Sequence, residues 1–356
     1  MKKTLLICTG TLLSSLILEL VLHFFPVSTG FMYLAVNSQN PILRGTPSMD
    51  FTFSKGWNFR LSNKASLNND GFLSNSNYHD QNTGALLIGD SYVQGAAIAA
   101  DKNVGVILSK RLSPYSILPL GESGAAISDY LAIAKWGVNK YKPKAIVFLL
   151  VEDDILESYK KKAGGYAFVR KGEIMANERS DVHGNESITK RMLNSSKLFR
   201  YIFDNLSFLS TFPPQLKFGF MPKKTVKNNI DATSVEIQAA SSYFLMEIMS
   251  TISRENILFV IDAKRSSHNN HVRDIDVFAD IAAAGGFQVL KLQNAFDVDR
   301  KKYGLRLDFS PTDNHWNAKG WLIAADEIEP YLRRALFGPI GFNIPPDSPP
   351  HDRREN

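Results

Sequence analysis

Cysteine is almost absent from this 356-residue chain, which has only Cys8. No disulfide can form within the chain, but many exported domains also lack disulfides, so the count says little about the compartment. A long basic stripe is also missing, because the formal net charge of +6 comes from short clusters such as Lys160–Lys162 and Lys223–Lys227. These clusters indicate a solvated surface, or else contact with anionic lipid or an acidic glycan. No recognised nucleic-acid module is present, so we expect no nucleic-acid partner.

The overall composition is that of a globular protein. Hydrophobic residues make up 44% of the chain and charged residues 21%. Both values are ordinary, so a buried core is expected and wholesale disorder is not. The length allows one large domain or two small ones.

The segment 1–26 is predicted to be a signal anchor that forms a transmembrane helix. Lys2–Lys3 precede an apolar run over 4–25, which at about 1.5 Å per residue is long enough to cross a bilayer. The run has no small-x-small cleavage site, which favours an uncleaved anchor over a cleaved signal peptide. No basic residue follows until Arg44. The positive-inside rule therefore predicts a single-pass protein with its main domain on the extracytoplasmic, periplasmic side. Glu19, near the outer end of the run, is expected to snorkel to the interface.

The rest of the chain divides into three parts by composition. Residues 27–80 are rich in Asn, Ser, Gly and aromatics and predict an irregular lead-in. Residues 81–336 alternate apolar strands with helices, and an insertion over 158–232 interrupts them as a lid over the core. Residues 337–356 include Pro345, Pro346, Pro349 and Pro350 in a charged stretch, which predicts a disordered tail.

Apolar runs predict five strands within 81–336. The runs are Ala85–Ile88, Tyr115–Leu118, Ala145–Val151, Ile257–Ile261 and Phe287–Leu292. The helices predicted between and after them are Val104–Leu112, Ile127–Asn139, Thr233–Ser253, Asp274–Ala284 and Trp321–Leu336. This alternation predicts an α/β fold, a three-layer sandwich with a five-stranded parallel sheet and helices on both faces. In such sheets ligands bind at the carboxyl ends of the strands.

Candidate catalytic residues lie at those strand ends. Gly89–Ser91 follow the first strand, where Ser91 can present its hydroxyl, and its N–H can stabilise negative charge; a plain helix cap is the alternative. Asp313 precedes His315 by two residues and can hold the imidazole in one tautomer, although a loop histidine capping a helix would look the same. Gly124 follows the second strand, where a glycine permits close backbone approach to a ligand or simply makes a turn.

Three carboxylates, Glu152–Asp154, follow the third strand. Burying such a group is costly unless it is solvated, paired or used. A metal site is one interpretation, but neighbouring residues of a strand point to opposite faces and rarely chelate one ion together. We therefore expect no metal and no cofactor.

In chain order, these motifs resemble the SGNH (GDSL-like) hydrolase superfamily. Gly89–Ser91 match its serine block, Gly124 its glycine block, and the Asp313 and His315 pair its Asp-His block. The resemblance implies that Ser91 is the nucleophile, His315 the base and Asp313 its orienting group. It also implies a flavodoxin-like sheet, and an oxyanion hole formed by the N–H groups of Ser91 and Gly124 with an Asn side chain.

The resemblance covers roughly residues 81–155 and 250–336. The form Asp-x-His-Trp-Asn over 313–317, together with an N-terminal anchor, looks more like the membrane-anchored alginate O-acetyltransferase branch than like free lipases. One position departs from the family, because Asp153 stands where the oxyanion-hole Asn is expected. An ionised carboxylate there would repel an oxyanion, for which one donor is typically worth about 3 kcal/mol. Either Asp153 is protonated, or another group donates, or the protein is weakly active or inactive.

The function implied is an extracytoplasmic, serine-dependent O-acyl esterase or acyltransferase, chiefly for acetyl groups. Its substrate would be a glycan or cell-envelope polymer such as an exopolysaccharide, handled through an acyl-enzyme. An inactive glycan-binding or scaffold protein, with partners in an envelope assembly, is the alternative that Asp153 favours. A lipase or thioesterase is a further alternative.

Overall fold

The computed structural model describes residues 2–30, 32–74, 76–79, 81–172, 174–180, 195–206, 230–264, 273–310 and 313–338. Most of the second half of the predicted insertion 158–232, and all but two residues of the predicted tail 337–356, lie outside the described residues.

The described strands are β1 (Asp50–Lys55), β2 (Leu61–Ser66), β3 (Thr83–Gly89), β4 (Ser116–Gly121), β5 (Ala145–Leu150), β6 (Tyr166–Lys171), β7 (Ile174–Arg179), β8 (Ile257–Ile261), β9 (Gln288–Lys291), β10 (Asp308–Ser310) and β11 (Asp313–Trp316). The described α-helices are α1 (Lys2–Leu22), α2 (Ser91–Gln94), α3 (Val104–Arg111), α4 (Ile127–Tyr141), α5 (Asp154–Glu157), α6 (Lys197–Arg200), α7 (Ile230–Ile248), α8 (Asp274–Ala284), α9 (Gln293–Tyr303) and α10 (Ala318–Phe337).

The central sheet has five strands in the order β4-β3-β5-β8-β9, and every neighbouring pair is parallel. The predicted α/β class and the five-stranded parallel sheet are confirmed. The middle strand β5 is buried along its whole length, as its uninterrupted apolar sequence requires. Pro119 lies in β4, an edge strand, where its missing N–H can fall on the unpaired side.

Alternate side chains of the sheet face two separate hydrophobic cores. Leu86 and Phe148 belong to the core shared with α4, α7 and α8. Leu87 and Val147 belong to the core shared with α3 and α10 on the opposite face. Because successive strand residues point to opposite faces, one sheet supports helices on both sides and the fold has three layers.

Some helix boundaries differ from the prediction. Helix α7 begins at Ile230, so the capping box predicted at Thr233 lies inside the helix. Helix α10 begins at Ala318 rather than Trp321, because the Asn317 side chain caps it by accepting N–H groups at 3.0 and 3.1 Å. Helix α9 has no counterpart in the prediction, since it is strongly polar and buries only Phe296 and Asp299.

Three two-stranded antiparallel sheets are added to the predicted fold within the described residues, and one of them, β10–β11, carries Asp313 and His315. The lead-in 27–80, predicted to be irregular, contains the hairpin β1–β2. The insertion contains the hairpin β6–β7, which packs on α4 where the Ser128 hydroxyl donates to the Tyr166 carbonyl at 2.9 Å. Helix α1 has the length and apolar composition to cross a membrane, a property that signal sequences share.

Candidate active site

Ser91 lies at the carboxyl end of β3, beside the centre of the sheet. Strand β3 ends at Gly89, and Asp90 caps α2 by accepting the Tyr92 N–H at 2.9 Å. Ser91 is the first residue of that short helix. The strand-to-helix turn predicted from Gly89–Ser91 therefore places the serine hydroxyl at the sheet edge.

Asp313 and His315 lie on β11. Because they are two residues apart on a strand, their side chains share a face. The His315 Nδ1 is 2.5 Å from Asp313 Oδ1, which also accepts the His315 backbone N–H at 3.2 Å. The Tyr92 hydroxyl donates to the Asn314 carbonyl at 2.8 Å, and the Tyr92 ring lies 4.7 Å from the imidazole. These contacts hold β11 against α2.

The His315 Nε2 lies 2.7 Å from the Ser91 Oγ. With the imidazole proton on Nδ1, Asp313 accepts from one ring nitrogen and the serine hydroxyl donates to the other. The structure thus brings the three predicted catalytic residues into one hydrogen-bonded chain, although 224 residues separate Ser91 from His315. This arrangement is that of a nucleophile, a base and an orienting carboxylate.

Lys55 is a fourth member of this group, which the sequence interpretation missed. Its Nζ lies 2.5 Å from Asp313 Oδ2, the oxygen that His315 does not use. Burial alone would raise the pKa of Asp313, but the hydrogen bonds from His315 and Lys55 outweigh it and hold that pKa well below its ordinary value. Asp313 is therefore ionised and supplies the negative charge that an imidazolium requires.

Two more buried carboxylates support the site. Burial raises the pKa of Asp90 to about 6, and its Oδ2 lies 3.2 Å from the Ser91 Oγ. Asp262, at the end of β8, accepts the Trp316 indole N–H at 2.9 Å. This bond fixes the residue that follows His315, so the tryptophan of the Asp-x-His-Trp-Asn motif has a structural role.

A cavity of about 320 Å³ opens over the Ser91 hydroxyl. Its lining includes the aromatic residues Tyr33, Phe51, Phe53, Trp316 and Trp321, together with Lys55 and Ser123. A second cavity of about 350 Å³ adjoins it and shares Ser123. Polar groups of Glu122, Asp129 and Lys162 line the second cavity. The site therefore has space for two chemical groups, one on each side of the 122–124 turn.

The backbone donors predicted for an oxyanion hole lie near this boundary. Gly124 borders the second cavity and has φ of 73°, the left-handed region that glycine adopts without strain. Within the described part of the chain, neither the Ser91 N–H nor the Gly124 N–H donates to a protein acceptor. The Gly124 carbonyl accepts a hydrogen bond from the Lys162 ammonium, and this contact stabilises the 122–124 turn.

Asp153, the third residue predicted for the oxyanion hole, is exposed and lines neither cavity. Its own N–H donates to Asp274 Oδ1 at 3.1 Å. The next residue, Asp154, is buried and accepts the Tyr130 hydroxyl at 2.9 Å and the Val151 N–H at 2.8 Å. The Asp154 carboxylate therefore holds this turn together, and Asp153 contacts Asp274 rather than Ser91.

No protein-family model and no curated protein matches the chain. Solved structures similar to it include a member of the lipolytic protein G-D-S-L family from Veillonella parvula DSM 2008, with 10% identity, TM-score 0.37, and coverage of 69% of this chain and 96% of that one. A catalytic mutant of Axe2, an acetylxylan esterase from Geobacillus stearothermophilus, has 13% identity, TM-score 0.39, and coverage of 70% and 94%. A two-domain esterase active on acetylated mannans has 10% identity, TM-score 0.39, and coverage of 72% and 50%. Identities and TM-scores this low carry no functional argument, so the chemistry rests on the contacts around Ser91.

Proposed function

We propose that this chain is a serine-dependent O-acyl esterase or acyltransferase of the SGNH type. The observation that carries the proposal is the unbroken chain Ser91 Oγ–His315 Nε2 at 2.7 Å and His315 Nδ1–Asp313 Oδ1 at 2.5 Å. These distances lie within the range at which a base can take the proton of a nucleophile.

In the proposed mechanism, the Ser91 Oγ attacks the carbonyl carbon of an ester while His315 takes the hydroxyl proton. The negative charge that develops on the carbonyl oxygen is stabilised by the N–H groups of Ser91 and Gly124. His315 then protonates the leaving alcohol, and the acyl group stays on Ser91. Water, or a sugar hydroxyl, attacks this acyl-enzyme with His315 again as base, which releases an acid or a new ester.

The position of Asp153 bears on whether this oxyanion hole can work. An ionised carboxylate directed at the oxyanion would oppose catalysis. Because Asp153 is exposed and lines neither cavity, that repulsion is avoided. The departure from the family motif therefore removes a side-chain donor, while two backbone donors stay available.

The cavities favour an O-acylated glycan as substrate. The aromatic rings of Tyr33, Phe51 and Phe53 offer flat apolar surfaces in the cavity that holds Ser91. The second cavity offers the polar groups of Glu122 and Lys162 for hydroxyl groups. Apolar walls with a few placed polar groups are typical of small-ligand sites. We propose that a small acyl group, chiefly acetyl, occupies the first cavity and that the glycan extends into the second.

The length and apolar composition of the N-terminal helix support a location at a membrane. We propose that α1 stays attached as a signal anchor and that Lys2 and Lys3 keep its start in the cytoplasm. The domain that carries Ser91 would then lie on the extracytoplasmic side, next to envelope polymers.

The test uses the full chain with Ser91→Ala as the variant and Ser234→Ala, an exposed serine on α7, as the matched control. Turnover of p-nitrophenyl acetate and labelling by a fluorophosphonate are measured on both. We expect the wild type and the control to be labelled and active, and Ser91→Ala to be neither. Labelling that persists in Ser91→Ala would remove this residue as nucleophile. An unlabelled and inactive wild type would instead support a glycan-binding protein.

A further inference from the structure

An aromatic cluster surrounds the outer end of α1. The Phe25 ring stacks on the Phe59 ring at 5.1 Å, and Phe59 packs against Tyr201 at 5.3 Å. The Tyr201 hydroxyl donates to the Trp57 carbonyl at 3.0 Å. We call Phe24, Phe25, Trp57, Phe59 and Tyr201 the aromatic foot. Its outer rings face solvent, since Phe24 is 89% and Trp57 73% exposed.

Buried polar contacts make this foot one unit with the folded domain. The Asn205 side chain is 2% exposed; it accepts the Ser28 N–H at 3.0 Å and donates to the Ser54 hydroxyl at 2.7 Å. The backbone carbonyl of Asn205 accepts a hydrogen bond from the Gly56 N–H at 2.9 Å. One residue therefore connects the chain after α1, the hairpin β1–β2 and the segment 196–206.

Glu19 adds a contact from within α1 itself. It was expected to snorkel to the interface, but its carboxylate accepts the N–H groups of Lys197 and Leu198 at 2.8 and 2.7 Å and the Ser196 hydroxyl at 2.8 Å. A carboxylate near the end of an apolar helix is thus satisfied by the start of α6. The last turns of α1 are therefore fixed to the domain and do not behave as a free tether.

The same hairpin reaches the active site. Lys55, the last residue of β1, contacts Asp313, and Trp57 of the foot follows two residues later. Two residues span at most about 7 Å of backbone, so Lys55, which lines the cavity, and Trp57 of the foot are close neighbours along the chain. The position of the foot therefore determines where the active site lies relative to the end of α1.

We propose that the aromatic foot docks into the headgroup region of the bilayer that α1 spans, and holds the Ser91 cavity close to the membrane surface. The bilayer is the expected partner of the foot because the foot directly follows α1 in the chain: Phe24 and Phe25 come two and three residues after the end of α1. Trp and other amphipathic rings are enriched at this depth, and the polar backbone around them can stay hydrated there. Exposed Arg60 beside the foot can contact lipid phosphate.

The docking has a consequence for substrate choice. A cavity held near the bilayer would act on acylated polymer that lies at the membrane surface, rather than on polymer free in solution. This consequence rests on the proposed function. The docking itself rests on the foot and on the proposed signal anchor α1, and not on the activity of Ser91.

Tryptophan fluorescence of the full chain in lipid nanodiscs tests the docking. The chain has four tryptophans, of which Trp316 and Trp321 are buried and Trp136 is partly buried. Phosphatidylcholine with brominated acyl chains quenches rings that enter the bilayer. We expect brominated discs to reduce the emission of the wild type, and Trp57→Phe to lose at least half of that quenching. Trp136→Phe is the matched control and should be quenched as much as the wild type.

Equal quenching of Trp57→Phe and the wild type would overturn the docking proposal, as would an absence of quenching in the wild type. Hydrolysis of p-nitrophenyl acetate is measured on the same samples, and Ser91→Ala is included in the quenching series. A chain that is quenched through Trp57 but hydrolyses no ester would refute the proposed function and leave the docking intact. The reverse result would refute only the docking.

Discussion

The Lys55 ammonium lies 2.5 Å from the carboxylate of Asp313, on the oxygen that His315 leaves free. This ion pair is only partly exposed, because the Asp313 side chain is 3% and the Lys55 side chain 38% accessible. A charge-assisted hydrogen bond to a buried carboxylate is stronger than a pair at the surface. Lys55 therefore positions the orienting group of the proposed triad, and it also partly neutralises the negative charge that favours a protonated imidazole.

Lys55→Met separates these two effects. Losing the hydrogen bond should cost about 1–2 kcal/mol of transition-state stabilisation and lower kcat/KM for p-nitrophenyl acetate about 5- to 30-fold, chiefly in kcat. Removing the ammonium should also move the acid limb of the rate–pH profile to higher pH, because the full charge of Asp313 then favours the imidazolium. Lys55→Arg keeps the charge and should restore the wild-type limb. A Lys55→Met profile identical to the wild type in rate and position would contradict this role.

Glu122 gives a prediction on stability. Burial raises its pKa to about 8, although hydrogen bonds from Tyr33 and from the Ser123 N–H oppose the shift. Between pH 4.5, the ordinary value, and about 8, the folded state holds a proton that the unfolded state has released. The free energy of unfolding therefore falls as pH rises through this window, by on the order of a few kcal/mol, and levels off above it.

Glu122→Gln removes that titration. The melting temperature of Glu122→Gln minus that of the wild type should be larger at pH 9 than at pH 5. Both are measured by differential scanning fluorimetry of the full chain in detergent. Glu327→Gln, an exposed position on α10, is the control and should follow the wild type at every pH. If the difference between Glu122→Gln and the wild type were the same at both pH values, the raised pKa would be refuted.

The sheet was predictable because four of its five strands, β3, β4, β5 and β8, are buried on both faces. Continuous apolar runs such as Ala145–Leu150 have no other stable placement in a soluble α/β domain, and each predicted strand is present within a few residues. The contact of Ser91 with His315 follows from the same logic. Ser91 follows β3 at the carboxyl edge of the sheet, and His315 comes just before the last helix, which begins near that edge. The strand β11, which puts Asp313 and His315 on one face, was not predicted.

Lys55 could not be predicted because nothing local marks it. It lies 258 residues from Asp313 in the chain. Its strand, Asp50–Lys55, buries only Phe51 and Ser54, so the hydrophobic alternation is too weak to identify a strand. For Asp153 the sequence analysis erred in the other direction, because it assigned to the site a residue that does not line it. The family motif predicts its side chain next to Ser91, but Asp153 has a left-handed backbone conformation, with φ of 76°, and is exposed.

Two glycines near the site allow the fold and the oxyanion hole to be tested separately. A Cβ on Gly121 would lie 2.1 Å from the Gln94 nitrogen and 2.6 Å from the Val93 carbonyl carbon, so backbone would have to move. A Cβ on Gly124 would meet open space, and only its φ of 73° would carry strain. Gly121→Ala should therefore destabilise the protein by about 2–3 kcal/mol, whereas Gly124→Ala should cost about 1 kcal/mol.

If the Gly124 N–H binds the oxyanion, the loss of kcat in Gly124→Ala should be larger than its small loss of stability explains. Gly124→Ala should fold, be labelled by a fluorophosphonate, and yet lose kcat, because the strained turn moves its N–H from the carbonyl oxygen. Gly121→Ala should lose labelling and activity together, in proportion to the unfolded fraction at the assay temperature. Melting curves and single-turnover rates on both variants check this. Full activity in a folded Gly124→Ala would contradict this role. It would show that moving the Gly124 N–H does not affect the reaction, so that another group stabilises the oxyanion.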